Sequence, residues 1–179
     1  TDDTDVVGTE LVTNGTFDSD VSGWTAGGAA TLTHTSASIK IQDNGYAYQI
    51  IPTVAGKAYS VTYETTALDN GDNTASYELR IGTSDYPPNL YDGPAQSSVG
   101  VYTASFTALT STTYIVLKTH GTTGGTHSTT FDNVSVVLAD TDRSVNANGL
   151  AVHGTITKSA VATGADLVGY SFGTSSSCL

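Results

Sequence analysis

The chain is short of most of what would point to a familiar chemistry. It holds one cysteine, Cys178, beside the C-terminal residue, so an intrachain disulfide is excluded and stability rests on packing, with a metal as the available extra staple. It has no methionine and begins at Thr1, which reads as a processed or trimmed chain or as part of a longer one. Basic residues are scarce: 6 Lys plus Arg stand against 17 Asp plus Glu, a formal charge of -11 and a pI near 4.3. This acidity speaks against a nucleic acid partner, whose phosphate backbone needs a cationic surface, and against docking on anionic lipid. No apolar run approaches the roughly 18 residues of a membrane span, so no membrane insertion is expected, and no charged-then-apolar signal segment stands at the amino end.

Catalytic signatures are missing as well. There is no HExxH spacing and no GxSxG elbow, and only three glutamates occur, Glu10, Glu64 and Glu78. His34, His120, His127 and His153 are scattered among Thr and Gly. His120 and His127 flank a Gly-rich stretch where a shared metal is conceivable, but a solvated loop accounts for them more simply. Cys178 lacks the local surroundings of a reactive thiol. The chain is therefore expected not to be an enzyme.

What is present is a β pattern. Small hydroxyl residues and 19 glycines dominate, and long helix-favouring side chains are few. KAYSVTYE, Lys57 to Glu64, alternates Tyr59, Val61 and Tyr63 with Ser60, Thr62 and Glu64, the period of a half-buried strand. YELRI repeats it, with Tyr77, Leu79 and Ile81 against Glu78 and Arg80, and SVGVYTASF again, with Tyr102, Ala104 and Phe106 on one side. TYIVLKT, Thr113 to Thr119, is apolar on both faces at its centre, as for a strand inside a sandwich. DNVSVVL puts Val134, Val136 and Leu138 on one side. DNG at 43–45, DNGDN at 69–73, YPPN at 86–89 and GTTGG at 121–125 supply the turns; DNGDN lacks the spacing of an EF-hand loop and reads as a hairpin turn.

Some eight or nine such strands predict an all-β fold, a two-sheet antiparallel β-sandwich. We divide the chain into an acidic linker at 1–5, the sandwich at 6–139 and a β-rich C-terminal segment at 140–179, too short for a core of its own. That last segment is expected to pack on the sandwich, on a following domain or on other copies.

The opening segment ELVTNGTFDSDVSGWT, Glu10 to Thr25, reads as a strand, a turn at Asn14-Gly15, an apolar anchor at Phe17, an acidic pair at Asp18 and Asp20, and Trp24 after Gly23. It resembles the opening of carbohydrate-binding modules of the jelly-roll, galactose-binding-like type. AYQIIPTVAGKAYSVTYET, Ala47 to Thr65, looks like that family's Gln-bearing strand, Gly-Lys turn and Tyr-led strand, and FDNVSVV, Phe131 to Val137, like its closing strand. Together these matches span Glu10 to Leu138, while Leu68 to Gly100 matches little.

The resemblance implies a jelly roll that binds glycan without catalysis. It also implies a structural calcium ion joining the first acidic turn to the last strand, with Asp18, Asp132 and Glu10 as the matching positions; carboxylates are the hard oxygen donors that calcium takes. For sugar, aromatic planes and hydrogen-bonding side chains are needed. Tyr46, Tyr86 and Tyr91 are the candidates to stack on a ligand, and Gln49, Glu78 and Arg80 to reach its hydroxyls. Tyr59, Tyr63, Tyr77 and Tyr102 are assigned to packing, and Trp24 to a core anchor. The loop carrying Tyr86 and Tyr91 reads equally as a stiffened surface turn or a subunit contact.

The tail, Asp142 to Leu179, resembles connecting segments of phage tail or fibre proteins, in which an NGL-V-GT run and an ATGA turn follow a glycan-binding-like sandwich. The expectation is a glycan-binding module of an extracellular or virion surface protein. Its partners are a cell-surface or matrix polysaccharide, copies of itself, or adjoining virion proteins. The alternative is a structural assembly subunit of a fibre, filament or capsid decoration. A third option is an ancillary module of a polysaccharide-degrading enzyme.

Overall fold

Alternation of apolar and hydroxyl residues makes each strand two-faced, and two such sheets bury their apolar faces against each other. A computed structural model of the chain describes residues 9–42, 44–69, 76–121, 127–139, 157–160 and 168–171. The expected linker at 1–5, most of the DNGDN and GTTGG turns, and Cys178 lie outside the described residues. The strands of the first unit are β1 (Thr25–Gly27), β2 (Thr31–His34), β3 (Ile39–Gln42), β4 (Tyr46–Pro52), β5 (Ala58–Asp69), β6 (Ser76–Gly82), β7 (Tyr91–Asp92), β8 (Gly100–Thr107), β9 (Thr112–His120) and β10 (Ser128–Leu138). They form two five-stranded sheets, β1-β4-β9-β6-β7 and β2-β3-β10-β5-β8, here called A and B. All recorded pairings within them are antiparallel. The fold is an all-β jelly-roll sandwich, as expected.

The core is filled from both layers. Sheet A contributes Ala47, Ile51, Leu79, Ile81, Ile115 and Leu117, and sheet B Ile39, Ile41, Val61, Phe131 and Val136, all essentially inaccessible. Aromatic rings tie the layers together: Phe131 of β10 meets Tyr77 of β6 edge-on at 5.5 Å and Tyr63 of β5 at 6.3 Å. Tyr59 stacks on Phe106 at 5.3 Å. The four tyrosines assigned to packing do pack, Tyr59, Tyr63 and Tyr77 buried and Tyr102 half-buried against the core. Trp24 is buried and touches Phe17 at 5.6 Å, with its indole N–H donating to the Asn14 carbonyl.

The opening segment departs from expectation. Glu10 to Thr13 forms no regular strand, and among the described residues one backbone bond, Leu11 N–H to the Val136 carbonyl at 3.0 Å, ties it to β10. The Glu10 carboxylate takes the donors a ladder would have used: Oε1 accepts from the Val12 and Val136 amides at 2.8 Å, and Oε2 from the Ser135 hydroxyl. Gly15 follows because a Cβ there would overlap the Val134 carbonyl; the Val134 N–H donates to the Gly15 carbonyl at 2.9 Å and holds the two backbones close.

By internal contacts the chain divides into Thr1–Thr141 and Asp142–Leu179. In the second unit β11 (Thr157–Ala160) and β12 (Val168–Ser171) pair antiparallel.

Candidate functional site

The outward face of sheet A carries side chains that a merely solvated face would not need. On β4, Ala47, Gln49 and Ile51 point inward, so Tyr46, Tyr48 and Ile50 point out. On β9 the inward set is Thr113, Ile115, Leu117 and Thr119, leaving Tyr114, Val116, Lys118 and His120 outside. β6 adds Glu78 and Arg80. Register then fixes who is neighbour to whom. Tyr46 lies opposite Lys118 and Lys118 opposite Glu78; Tyr48 lies opposite Val116, which faces Arg80, which faces Asp92; Ile50 lies opposite Tyr114.

Three rings form a continuous row across β4 and β9. Tyr46 and Tyr48 have centroids 6.2 Å apart, and Tyr48 and Tyr114 5.7 Å apart, all mutually tilted. Gly27 of β1, opposite Tyr46, makes room for the first ring: a Cβ at Gly27 would overlap its ring carbons. The far end of Tyr46 is fixed by its hydroxyl, which donates to Asp85 at 3.1 Å. Burial, and then this neighbouring carboxylate, push the Tyr46 hydroxyl above its ordinary pKa.

Beside the row sits a polar group under cover. Glu78, although on the outward face, is only 6% exposed. Its Oε1 pairs with the Arg80 Nε and lies 2.9 Å from His120 Nε2. Arg80 also approaches Asp92 at 3.4 Å, and its guanidinium lies 5.4 Å from the centroid of the Tyr86 ring, a cation–π arrangement. The loop that brings Asp85 and Tyr86 here is stitched by Asn89, whose Oδ1 accepts from Thr83 N–H at 2.8 Å and whose amide donates to the Thr83 hydroxyl at 2.9 Å. Lys118 is half-buried; desolvation, and then Arg80, lower its pKa while Glu78 opposes them.

Of the sequence candidates, Tyr46, Glu78, Arg80 and Tyr86 come together on this face. Two do not. Gln49 points inward and is buried, its Oε1 accepting from the Thr13 amide at 2.7 Å and its amide donating to the Thr13 and Gly23 carbonyls. It clamps the opening segment to β4 and is not free for a ligand. Tyr91 lies opposite inward-facing Ile81 and packs half-buried against the core. Its parity relative to β6 follows from the short β7 pairing, which loop composition does not reveal. Sequence reasoning missed Tyr48 and Tyr114. Both alternate correctly with inward residues in YAYQI and TYIVL, and that period was the available signal.

Of the three expected calcium donors, Asp18 and Asp132 lie near enough to feel each other's charge, while Glu10 has partners of its own. Glu10 is engaged with Val12, Ser135 and Val136 as described. Asp18 accepts from the Thr16 hydroxyl at 2.9 Å, and Asp132 from the Asn133 amide at 2.7 Å. Asp132 feels other carboxylates: burial raises its pKa, Glu64 and Asp18 raise it further, and the Asn133 amide opposes them. Among the described residues no three His, Cys, Asp or Glu side chains converge as a metal-binding group. The charge crowding at Asp132 is of the sign that a cation relieves. His127 is buried while His120 lies on the outward face.

The arrangement combines amphipathic aromatic surface with fixed hydrogen-bonding groups, the chemistry that carbohydrate rings require. Comparison with solved structures points to the same class of fold. The chain is similar to a CBM4 structure at 18% identity, covering 72% of this chain and 99% of that one, with a TM-score of 0.51. It is similar to the CBM22-1 xylan-binding domain of Paenibacillus barcinonensis Xyn10C at 12% identity, covering 74% and 96%, with a TM-score of 0.54. It is also similar to the N-terminal cellulose-binding domain of Cellulomonas fimi β-1,4-glucanase C at 19% identity, covering 74% and 99%, with a TM-score of 0.53. No family model and no curated protein matches the sequence. At these identities what is shared is the fold, a jelly-roll sandwich that these structures also have.

Proposed function

We propose that this chain is a non-catalytic glycan-binding module that takes polysaccharide on the outward face of sheet A. The observation that carries this reading is the row Tyr46, Tyr48 and Tyr114 beside the covered Glu78–Arg80 pair. Rings of this kind meet the apolar faces of sugars, while Tyr hydroxyls, Lys118 and the Asp85 and Asp92 carboxylates are placed to meet hydroxyls. The fold neighbours lend support: one is described as a xylan-binding domain, another as a cellulose-binding domain, and a third, TmCBM61, as a complex with β-1,4-galactotriose. Glu78 is committed to Arg80 and His120, which suits a positioning carboxylate better than one reserved for bond cleavage.

Calorimetric titration against soluble xylan, β-1,4-galactan and cello-oligosaccharides, alongside a glycan array, tests the reading. Saturable binding is expected, and Tyr48→Ala or Tyr114→Ala is expected to weaken it about tenfold, or ~1.4 kcal/mol. Absence of binding to every glycan would overturn it.

The reading places the module outside the cell or on a virion surface, with a cell-surface or matrix polysaccharide as partner. The virion setting rests on the resemblance of the tail to phage tail and fibre segments. Calcium, in this reading, sits at Asp18 and Asp132 with main-chain oxygens completing its shell, and Glu10 takes no part.

A further inference from the structure

The four sheet edges of the sandwich are unequal. Three are guarded by brevity: β1 has three residues, β2 four and β7 two. The fourth, β8, runs for eight residues and, among the described residues, pairs only with β5. Natural sheets blunt such an edge with charge, proline, a bulge or a covering loop, because its free amides and carbonyls are a template for another strand. Among the described residues β8 shows none of these. From Gln96 to Thr107 there is no charged residue and no proline, although the chain as a whole is at -11. Its pairing with β5 runs in unbroken register from Gly100 to Thr107. Among the described residues no backbone bond outside the sheet reaches Val101 to Thr107. The side chains on its outward face, Val101, Thr103, Ser105 and Thr107, are exposed, Val101 to 66%.

We infer that β8 is a homotypic interface, at which two copies of the chain pair their β8 strands antiparallel and join their B sheets into one. The case for a second copy is electrostatic and geometric. An antiparallel strand is self-complementary about a two-fold axis. Two chains each carrying eleven excess negative charges approach best where neither presents a carboxylate, and this edge is such a place. Glu64, opposite Val101 on β5, is the nearest acid in the register, one strand removed from the seam. The association uses sheet B and leaves the tyrosine row of sheet A free, so it stands independently of the glycan reading.

Light scattering coupled to size exclusion, run on the whole chain from micromolar to millimolar concentration, is the test. A mass rising from 18.4 kDa toward twice that value is expected. Thr103→Lys/Ser105→Lys, which places like charges across the seam, is expected to return the mass to that of the monomer with an unchanged circular dichroism spectrum. Thr31→Lys/Thr33→Lys, with the same added charge on the short β2 edge, is expected to leave the dimer intact. Amide exchange in β8 is expected to slow as concentration rises. A wild type that stays monomeric throughout, or a dimer that survives the β8 lysines, would overturn the inference.

Discussion

At the scale of single residues, position matters more than type. Gly27 touches no ligand in our account, yet its missing Cβ is what lets the Tyr46 ring lie across β1. Gly27→Ala is expected to push that ring aside and cost several-fold in glycan affinity while the melting temperature changes little, checked by calorimetric titration beside a thermal melt. Gln49 should behave in the opposite way. Gln49→Ala leaves the Thr13 amide and the Thr13 and Gly23 carbonyls without their partner, in a half-buried setting where access to water takes each below most of the ~1–3 kcal/mol that a fully buried unmet group costs. A loss of roughly 2–4 kcal/mol in chemical denaturation is expected, with affinity per folded molecule unchanged. That contrast explains why the sequence misled at this residue: amides are equally suited to sugars and to backbone, and only the inward parity of Gln49 on β4 decides between them. Glu78 and Arg80 were legible by parity, but their mutual pairing under Tyr86 depends on a loop whose course no local pattern fixes.

Strands were the most legible level, because a period of two survives without knowledge of partners. Tyr59, Val61 and Tyr63, and Tyr77, Leu79 and Ile81, face the core as their alternation requires. Glu10 to Thr13 was the exception, since a side-chain carboxylate replaced a strand partner there and propensity does not register that exchange. β9 made Tyr114 harder to read: its alternation with Thr113 and Ile115 was there, but a strand apolar on both faces at its centre shows little contrast between them. Within β10, the irregularity between Asp132 and Ser135 and the positive φ of 50° at Asn133 bring Asp132 near Glu64 and Asp18. Because its folded pKa lies above 3.8, the native state binds the proton more tightly than the unfolded chain. Its contribution is therefore most favourable below that unfolded value and declines as pH rises through the window up to the folded pKa. Asp132→Asn is thus expected to raise Tm at neutral pH in chelator, with the gain vanishing on acidification. If calcium occupies this turn, adding it raises the wild-type Tm and leaves Asp132→Asn nearly unmoved; no calcium shift in the wild type would remove the ion.

For the molecule as a whole, the proposed reading divides the work between the two sheets, the outward face of sheet A for glycan and the long edge of sheet B for a second copy. A dimer would carry two such faces, and linked sites gain avidity without new contacts where their spacing matches the polymer. The acidic balance is compatible with this, since a neutral polysaccharide makes no demand for a cationic surface. The most direct measurement is amide chemical-shift mapping of the isotope-labelled chain during titration with a glycan that it binds. The account predicts shifts concentrated at Tyr46, Tyr48, Tyr114, Val116 and Lys118, with β3, β5 and β10 silent. Shifts confined to sheet B, or binding that persists in full in a Tyr48→Ala/Tyr114→Ala chain, would contradict it.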